Sequence, residues 1–229
     1  MTDRSRKLVI AIDGPAGAGK STIASRLARK LGYVNLETGA MYRALALLAI
    51  EQDLACDDEA ALLDAAMHSK IVLQPRVDGN RVLLNGRDVS DRIRQSDVTQ
   101  AASRVSVHPR VREWMVARQR EMGSAGGVVM EGRDIGTKVF PNADLKIFLE
   151  ASPEVRVERR VRQNELRPEQ AAAVAAELRE RDERDRTRSN SPLVPAPDAV
   201  IIDSSDLDAD QVVSRVESLV AKKLAASGS

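Results

Sequence analysis

Residues 8–31 read LVIAIDGPAGAGKSTIASRLARKL, and the order of the parts decides the fold. The apolar run at 8–13, LVIAID, has the length and composition of a buried strand. GPAGAGKS follows at once, comprising Gly14, Pro15, Ala16, Gly17, Ala18, Gly19, Lys20 and Ser21, and fits G-x-x-x-x-G-K-[ST] without a gap. A helix is expected over 20–31. Such a strand, loop and helix bring backbone N–H groups and a helix N-terminus together on one anion, and the glycines let the backbone approach it closely. In that geometry Lys20 reaches the β- and γ-phosphates of a nucleotide, and the Ser21 hydroxyl is a ligand for Mg2+. The plain alternative, a Gly-rich turn joining strand and helix, is disfavoured because motif and flanks agree.

Further short apolar runs lie at 33–37 (YVNLE), 127–131 (GVVME), 145–150 (LKIFLE) and 199–203 (AVIID). Helices are expected at 39–52, 58–68, 97–105, 109–122, 153–165, 168–188 and 208–225, with Pro109 as a first helical residue and Gly123 as a stop. Alternation of this kind predicts an α/β fold of P-loop NTPase type, a five-stranded parallel sheet with helices on both faces. Residues 70–89, KIVLQPRVDGNRVLLNGRDV, break the pattern with β-rich pieces punctuated by Asp78-Gly79-Asn80 and Asn85-Gly86. They predict a small antiparallel insert that must pack on the main body or cap a cleft. The ends, MTDRSRK and AASGS, read as frayed.

With 229 residues, 43% of them apolar, and a net charge of +1, the chain has material for one substantial core and no broad basic field. That argues against nucleic acid or a membrane surface as partner. Cys56 is the single cysteine and no apolar run reaches 18 residues, so the expected setting is a reducing cytoplasm and the expected state a monomer. His68 and His108 read as structural.

A P-loop is shared by GTPases, ATP-driven machines and small-molecule kinases. No N-K-x-D segment reads a guanine and no repeated module fits the length, so a small kinase is the economical reading. Its second substrate must sit opposite the γ-phosphate, with arginines to neutralise the charge. Three stretches qualify. ETGAMYR at 37–43 offers Thr38, Tyr42 and Arg43 at a strand end, where ligands bind in open α/β sheets; the alternative is a helix N-cap at Thr38. EGRDIGT at 131–137 sets Arg133 and Asp134 between glycines at another strand end. RDERDRTR at 181–188 places Arg181, Arg184, Asp185 and Arg188 on one helical stripe that continues the face of Val174 and Leu178, with Asp182, Glu183 and Arg186 pointing to solvent. Arg160 lies upstream in the Arg-rich VRVERRVR.

Taken in order, GPAGAGKST, TGAMYR, AASRVSVHPRVRE, EGRDIGT, RERDERDRTR and PLVPAPDA resemble the bacterial cytidylate kinases. Together with the β insert they cover nearly the whole chain. The resemblance implies ATP and Mg2+ as donor and cofactor, and CMP or dCMP as acceptor. It implies a core at 1–38, 106–152 and 189–229, an NMP-binding domain at 39–105, and an Arg-rich lid at 153–188. It assigns Gly14 to Thr22 to ATP, Arg43, Arg133 and Arg188 to the acceptor phosphate, and Thr38 and Tyr42 to the same pocket. Ser103, Arg112 and Asp134 fall at the cytosine, and Arg181 and Asp185 at the pentose. Lys20, Arg160, Arg184 and Arg188 are the expected catalytic cations. Thr38 stands where many relatives have Ser, Glu131 where Asp is common, and the lid linker around 163–170 looks short. Cytosine suits such a pocket: a carboxylate accepts from its amine, while Arg112 and Ser103 donate to N3 or O2. Uracil reverses part of that pattern and leaves buried groups unpaired at about 1–3 kcal/mol each.

Overall fold

Strand β1 (Val9–Asp13) is apolar on both sides, and its residues divide between two cores. In the computed structural model, which describes residues 7–76, 79–163 and 167–227, Ile10 and Ile12 pack with α1 (Lys20–Leu31) and α8 (Ala209–Ser227). Ala11 faces the opposite layer, with α2 (Gly39–Glu51), α3 (Glu59–Met67), α4 (Ser96–Val105) and α5 (Pro109–Gly123). A strand buried on both faces is what a parallel sheet demands. Around β1 stand β2 (Val34–Glu37), β6 (Val128–Glu131), β7 (Leu145–Glu150) and β8 (Val200–Asp203), in the order β2-β6-β1-β7-β8, every pair parallel. The expected strands are therefore present, each within one residue of its expected start.

The insert consists of β3 (Ile71–Arg76), β4 (Gly79–Leu84) and β5 (Arg87–Asp88), paired antiparallel. Asn85 (φ 51°) and Gly86 (φ 84°) form the tight turn that their sequence signals, with positive φ at both central positions. Of the other signalled turn, Asp78 lies outside the described residues. The insert leans on the edge of the main sheet: the buried Asn80 amide accepts from the Glu37 N–H (2.8 Å) and donates to the Asn35 carbonyl (2.8 Å).

Beyond β7, α6 (Pro153–Gln163) packs against α7 (Ala171–Thr187). Val174 and Leu178 are buried with Ala16, so the stripe read from the sequence does face protein. Residues 164–166 of the expected helix 153–165 and of the lid linker lie outside the described residues. The next helix opens as a tighter 3-10 turn, Pro168–Gln170, a common way for a helix to begin. Of the ends expected to fray, 1–6 and 228–229 are outside the described residues, while 225–227 continue α8. Among the described residues no helix is long and apolar enough to cross a membrane.

Candidate active site

The loop at the carboxyl end of β1 is drawn tight against its neighbours. A Cβ at Gly14 (φ +145°) would stand 2.0 Å from the Leu149 carbonyl oxygen, so only glycine fits. Lys20, buried at the start of α1, donates its Nζ to the Pro15 carbonyl (2.7 Å). Burial, followed by the nearby Arg133 and Arg181, pushes its ammonium down to about 7. Ser21 Oγ donates to Glu131 Oε1 at 2.5 Å. The Glu131 carboxyl is pushed up by burial and by Glu37, its register partner on β2.

Asp13, the last residue of β1, is 4% exposed and accepts from two backbone N–H groups, Ile135 (2.8 Å) and Gly136 (2.7 Å). Burial raises its carboxyl to about 6 in spite of those bonds. Ile135 and Gly136 open a π-helical turn, Ile135–Val139, which follows Arg133 and Asp134.

Across the cleft, Arg112 is 2% exposed and fixed on three sides. Its Nη1 donates to the Ser106 carbonyl (3.0 Å), its Nη2 to Asp134 Oδ2 (2.6 Å), and its guanidinium lies over the Tyr42 ring, 5.5 Å from the centroid. Burial pushes the Tyr42 phenol up to about 12. Thr38 stands at the N-cap of α2 without a side-chain cap; its Oγ1 donates instead to the Glu131 carbonyl (2.8 Å) and so joins the ends of β2 and β6. Arg43 pairs with Glu37, and burial of the Glu37 carboxyl is outweighed by Arg43 and Arg94, which hold it below the usual range.

From α7, Asp185 holds two guanidinium groups at once, Arg133 Nε (2.9 Å) and Arg188 Nη1 (3.3 Å). Burial would raise the Asp185 carboxyl, but Arg133, Arg181 and Arg188 overcome it and keep it low. Arg188 also donates Nε to the Ser191 carbonyl (2.6 Å), and its buried Nη2 has no protein partner. Arg181 is lowered to about 10, first by burial and then by Arg133.

These groups share one cleft of about 940 Å3. Its walls include Ala16 to Thr22, Thr38, Tyr42, Arg43, Ser103, Arg112, Arg133, Asp134, Arg160, Arg181, Asp185 and Arg188. Gly14 and Pro15, at the start of the loop, are outside the lining. In this structure the Arg184 guanidinium donates to Ser103 Oγ (2.5 Å) on α4 and pairs with Glu180. One expectation from RDERDRTR needs correction. Asp182 does not point to solvent; it is 6% exposed and pairs with buried Arg156 at 2.5 Å, because α6 covers that side of α7.

Several groups escaped the sequence reading. Arg156 also donates to the Ala16 carbonyl (3.1 Å), and Arg159 grips Ser204 Oγ (2.9 Å) and the Ser204 carbonyl (2.6 Å). Both sit in VRVERRVR, where arginines three apart on a helix were signal enough. Glu37 and Arg94 line the cleft, and Asp13 lies buried just behind it. His108 bonds the Cys56 carbonyl (2.7 Å) and His68 the Asp64 carbonyl (2.9 Å), both outside the cleft.

One half of the cleft gathers backbone N–H groups and Lys20, the other gathers guanidinium groups, and a phosphoryl group passing between two phosphorylated molecules needs both. The fold and site therefore define a P-loop phosphotransferase. Shikimate kinase from Bacteroides thetaiotaomicron shares the fold, with a TM-score of 0.50 at 13% identity over 93% of this chain and 98% of that one. The cytidylate kinase family model matches residues 10–222. The cytidylate kinase of Geobacillus kaustophilus is 49% identical over 221 residues, covering 96% of this chain and 99% of the relative. That of Enterococcus faecalis is 47% identical over 219 residues, covering 95% and 97%. The chain belongs to the cytidylate kinase family.

Proposed function

We propose that the protein transfers the γ-phosphoryl group of ATP to CMP or dCMP, giving CDP or dCDP and ADP. What carries this reading is the buried Arg112–Asp134 pair, a base-reading carboxylate and guanidinium that open onto the same cleft as the partnerless Arg188 Nη2. The carboxylate accepts from the cytosine amine, while Arg112 and Ser103 donate to the ring acceptors. Arg43, Arg133 and Arg188 hold the acceptor phosphate, with Thr38 and Tyr42 beside it. Asp185 orients Arg133 and Arg188 and, with Arg181, meets the pentose.

Residues 14–22 hold the ATP phosphates, and Lys20 follows the charge that develops on the transferred group. Chemistry of this kind asks for position and charge compensation more than for a general base. Arg160, which lines the cleft, and Arg184, which stands beside it on Ser103, serve the transferred group. An arginine so used is worth about 10³ to 10⁵ in rate. Mg2+ fits the oxygen donors at the loop exit. Ser21 Oγ and the buried Glu131 carboxylate would hold it, and no cluster of three or more His, Cys, Asp or Glu among the described residues offers another place. Bound there with phosphate oxygens and water, it would neutralise charge on the donor.

We read 39–105 as the acceptor-binding domain, 153–188 as the lid, and the remainder as the core. A net charge of +1 and the single half-buried Cys56 support a cytoplasmic monomer that binds no nucleic acid. The test is ADP release over a panel of AMP, GMP, UMP, CMP and dCMP: CMP and dCMP are expected to lead, and equal rates across the panel refute the reading.

A further inference from the structure

One buried carboxylate in the cleft region takes no part in the chemistry described above. Asp13 ends β1, immediately before the P-loop, yet both its oxygens are spent on the other side of the active site, on the Ile135 and Gly136 N–H groups. Those are the two residues directly after Asp134. The turn is held further by the Gly132 N–H on the Ile12 carbonyl (3.0 Å), and by the Lys138 (2.8 Å) and Val139 (3.1 Å) N–H groups on the Asp134 carbonyl. Strand β1 therefore grips both flanks of Arg133-Asp134. Asp134 itself sits at φ −147°, ψ 24°, outside regular helix or strand, so its carboxylate direction depends on how the turn is anchored.

We propose that Asp13 is a specificity-positioning residue: its carboxylate fixes the Ile135–Gly136 backbone against the donor loop and thereby aims Asp134 at the acceptor base. The inference rests on the proposed base-reading role of Asp134 and extends it to a residue that touches no substrate. An ionised carboxylate suits the task because it accepts two N–H bonds and offers no donor to either. An amide presents one oxygen and one NH2, so one backbone N–H must face a donor. Gly136 tightens the same joint, since a Cβ there would meet Lys146 Cδ at 3.2 Å and Asp13 Oδ2 at 3.4 Å.

The experiment measures kcat/KM for CMP and for UMP in wild type, Asp13→Asn and Gly136→Ala, with KM for ATP and thermal unfolding alongside. The CMP to UMP ratio is the decisive quantity because a reduced fraction of folded enzyme cancels in it. Loss of one charged hydrogen bond predicts a fall of that ratio by about tenfold or more in Asp13→Asn. A smaller fall is expected in Gly136→Ala, with KM for ATP within about twofold of wild type in both. A ratio unchanged in both variants overturns the proposal, whatever happens to the melting temperature. Should Asp13→Asn not fold, the Gly136→Ala ratio decides alone. A wild type that does not prefer CMP over UMP refutes the base-reading function instead, so the two failures are separate.

Discussion

The proposed base reading rests on Asp134, and its test depends on the variant chosen. Alanine at 134 leaves Arg112, 2% exposed, without its carboxylate, and an uncompensated buried charge costs about 3–5 kcal/mol of stability. Asp134→Asn keeps the volume and one acceptor while removing the charge. It is expected to lower kcat/KM for CMP by about 10- to 100-fold, and for UMP clearly less, in a direct kinetic comparison. Residues of this kind were legible because their types are improbable elsewhere: a lysine and serine closing a glycine loop, or an arginine and aspartate between glycines at a strand end. Asp13 was not legible, since nothing in LVIAID tells a strand-terminal acid that points inward from one that points to solvent. Glu37 was hidden for the same reason, although it begins a stretch whose other polar residues were read.

Helix α7 shows how far periodicity goes at the scale of elements. One stripe was read on RDERDRTR, but the helix is covered along two arcs, by the cleft and by α6, and Asp182 lies on the second. A phase argument that allows one buried face assigns the remainder to water, which is why Asp182 was misread. The Arg156–Asp182 pair joins α6, α7 and the Ala16 carbonyl of the P-loop, and the Arg156 Nε and Asp182 Oδ1 atoms are buried with no hydrogen-bond partner. Asp182→Ala is expected to cost about 3–5 kcal/mol in urea or thermal unfolding, because Arg156 stays buried and unpaired. The double change Arg156→Met with Asp182→Leu should return most of that stability, and a double variant as unstable as the single one counts against the buried-charge explanation. Strand limits, by contrast, were legible to within one residue because apolar runs bounded by turn signals leave little freedom.

Across the whole molecule, a net charge of +1 conceals a cleft whose lining holds more basic than acidic side chains. Burial and the neighbouring arginines lower Lys20 to about 7 and Arg181 to about 10, and a bound polyphosphate reverses both effects. Nucleotide binding near neutral pH should therefore draw in protons, and affinity should weaken as pH rises past about 7, where free Lys20 loses its proton. Calorimetric titration with ATP at pH 7.5–8 in two buffers of different ionisation enthalpy measures this, and net proton release would count against it. The stability of the unliganded protein moves the other way. Between about 7 and the ordinary lysine value of 10.5 the unfolded chain keeps a proton that folded Lys20 has lost, so this lysine's contribution grows with pH across that window.

The Asn80 amide, described above as the insert's foothold on β2, has a further consequence for the chain in a crowded solution. By accepting from Glu37 and donating to Asn35 it occupies the hydrogen-bonding positions that a neighbouring strand would take, so β2 offers no ready seat to a foreign strand. The opposite border of the sheet is β8, four residues long, preceded by the prolines of PLVPAPDA and closed by Asp203. Ile201 there is 51% exposed, but so short an edge between prolines and an acid gives aggregation little to build on.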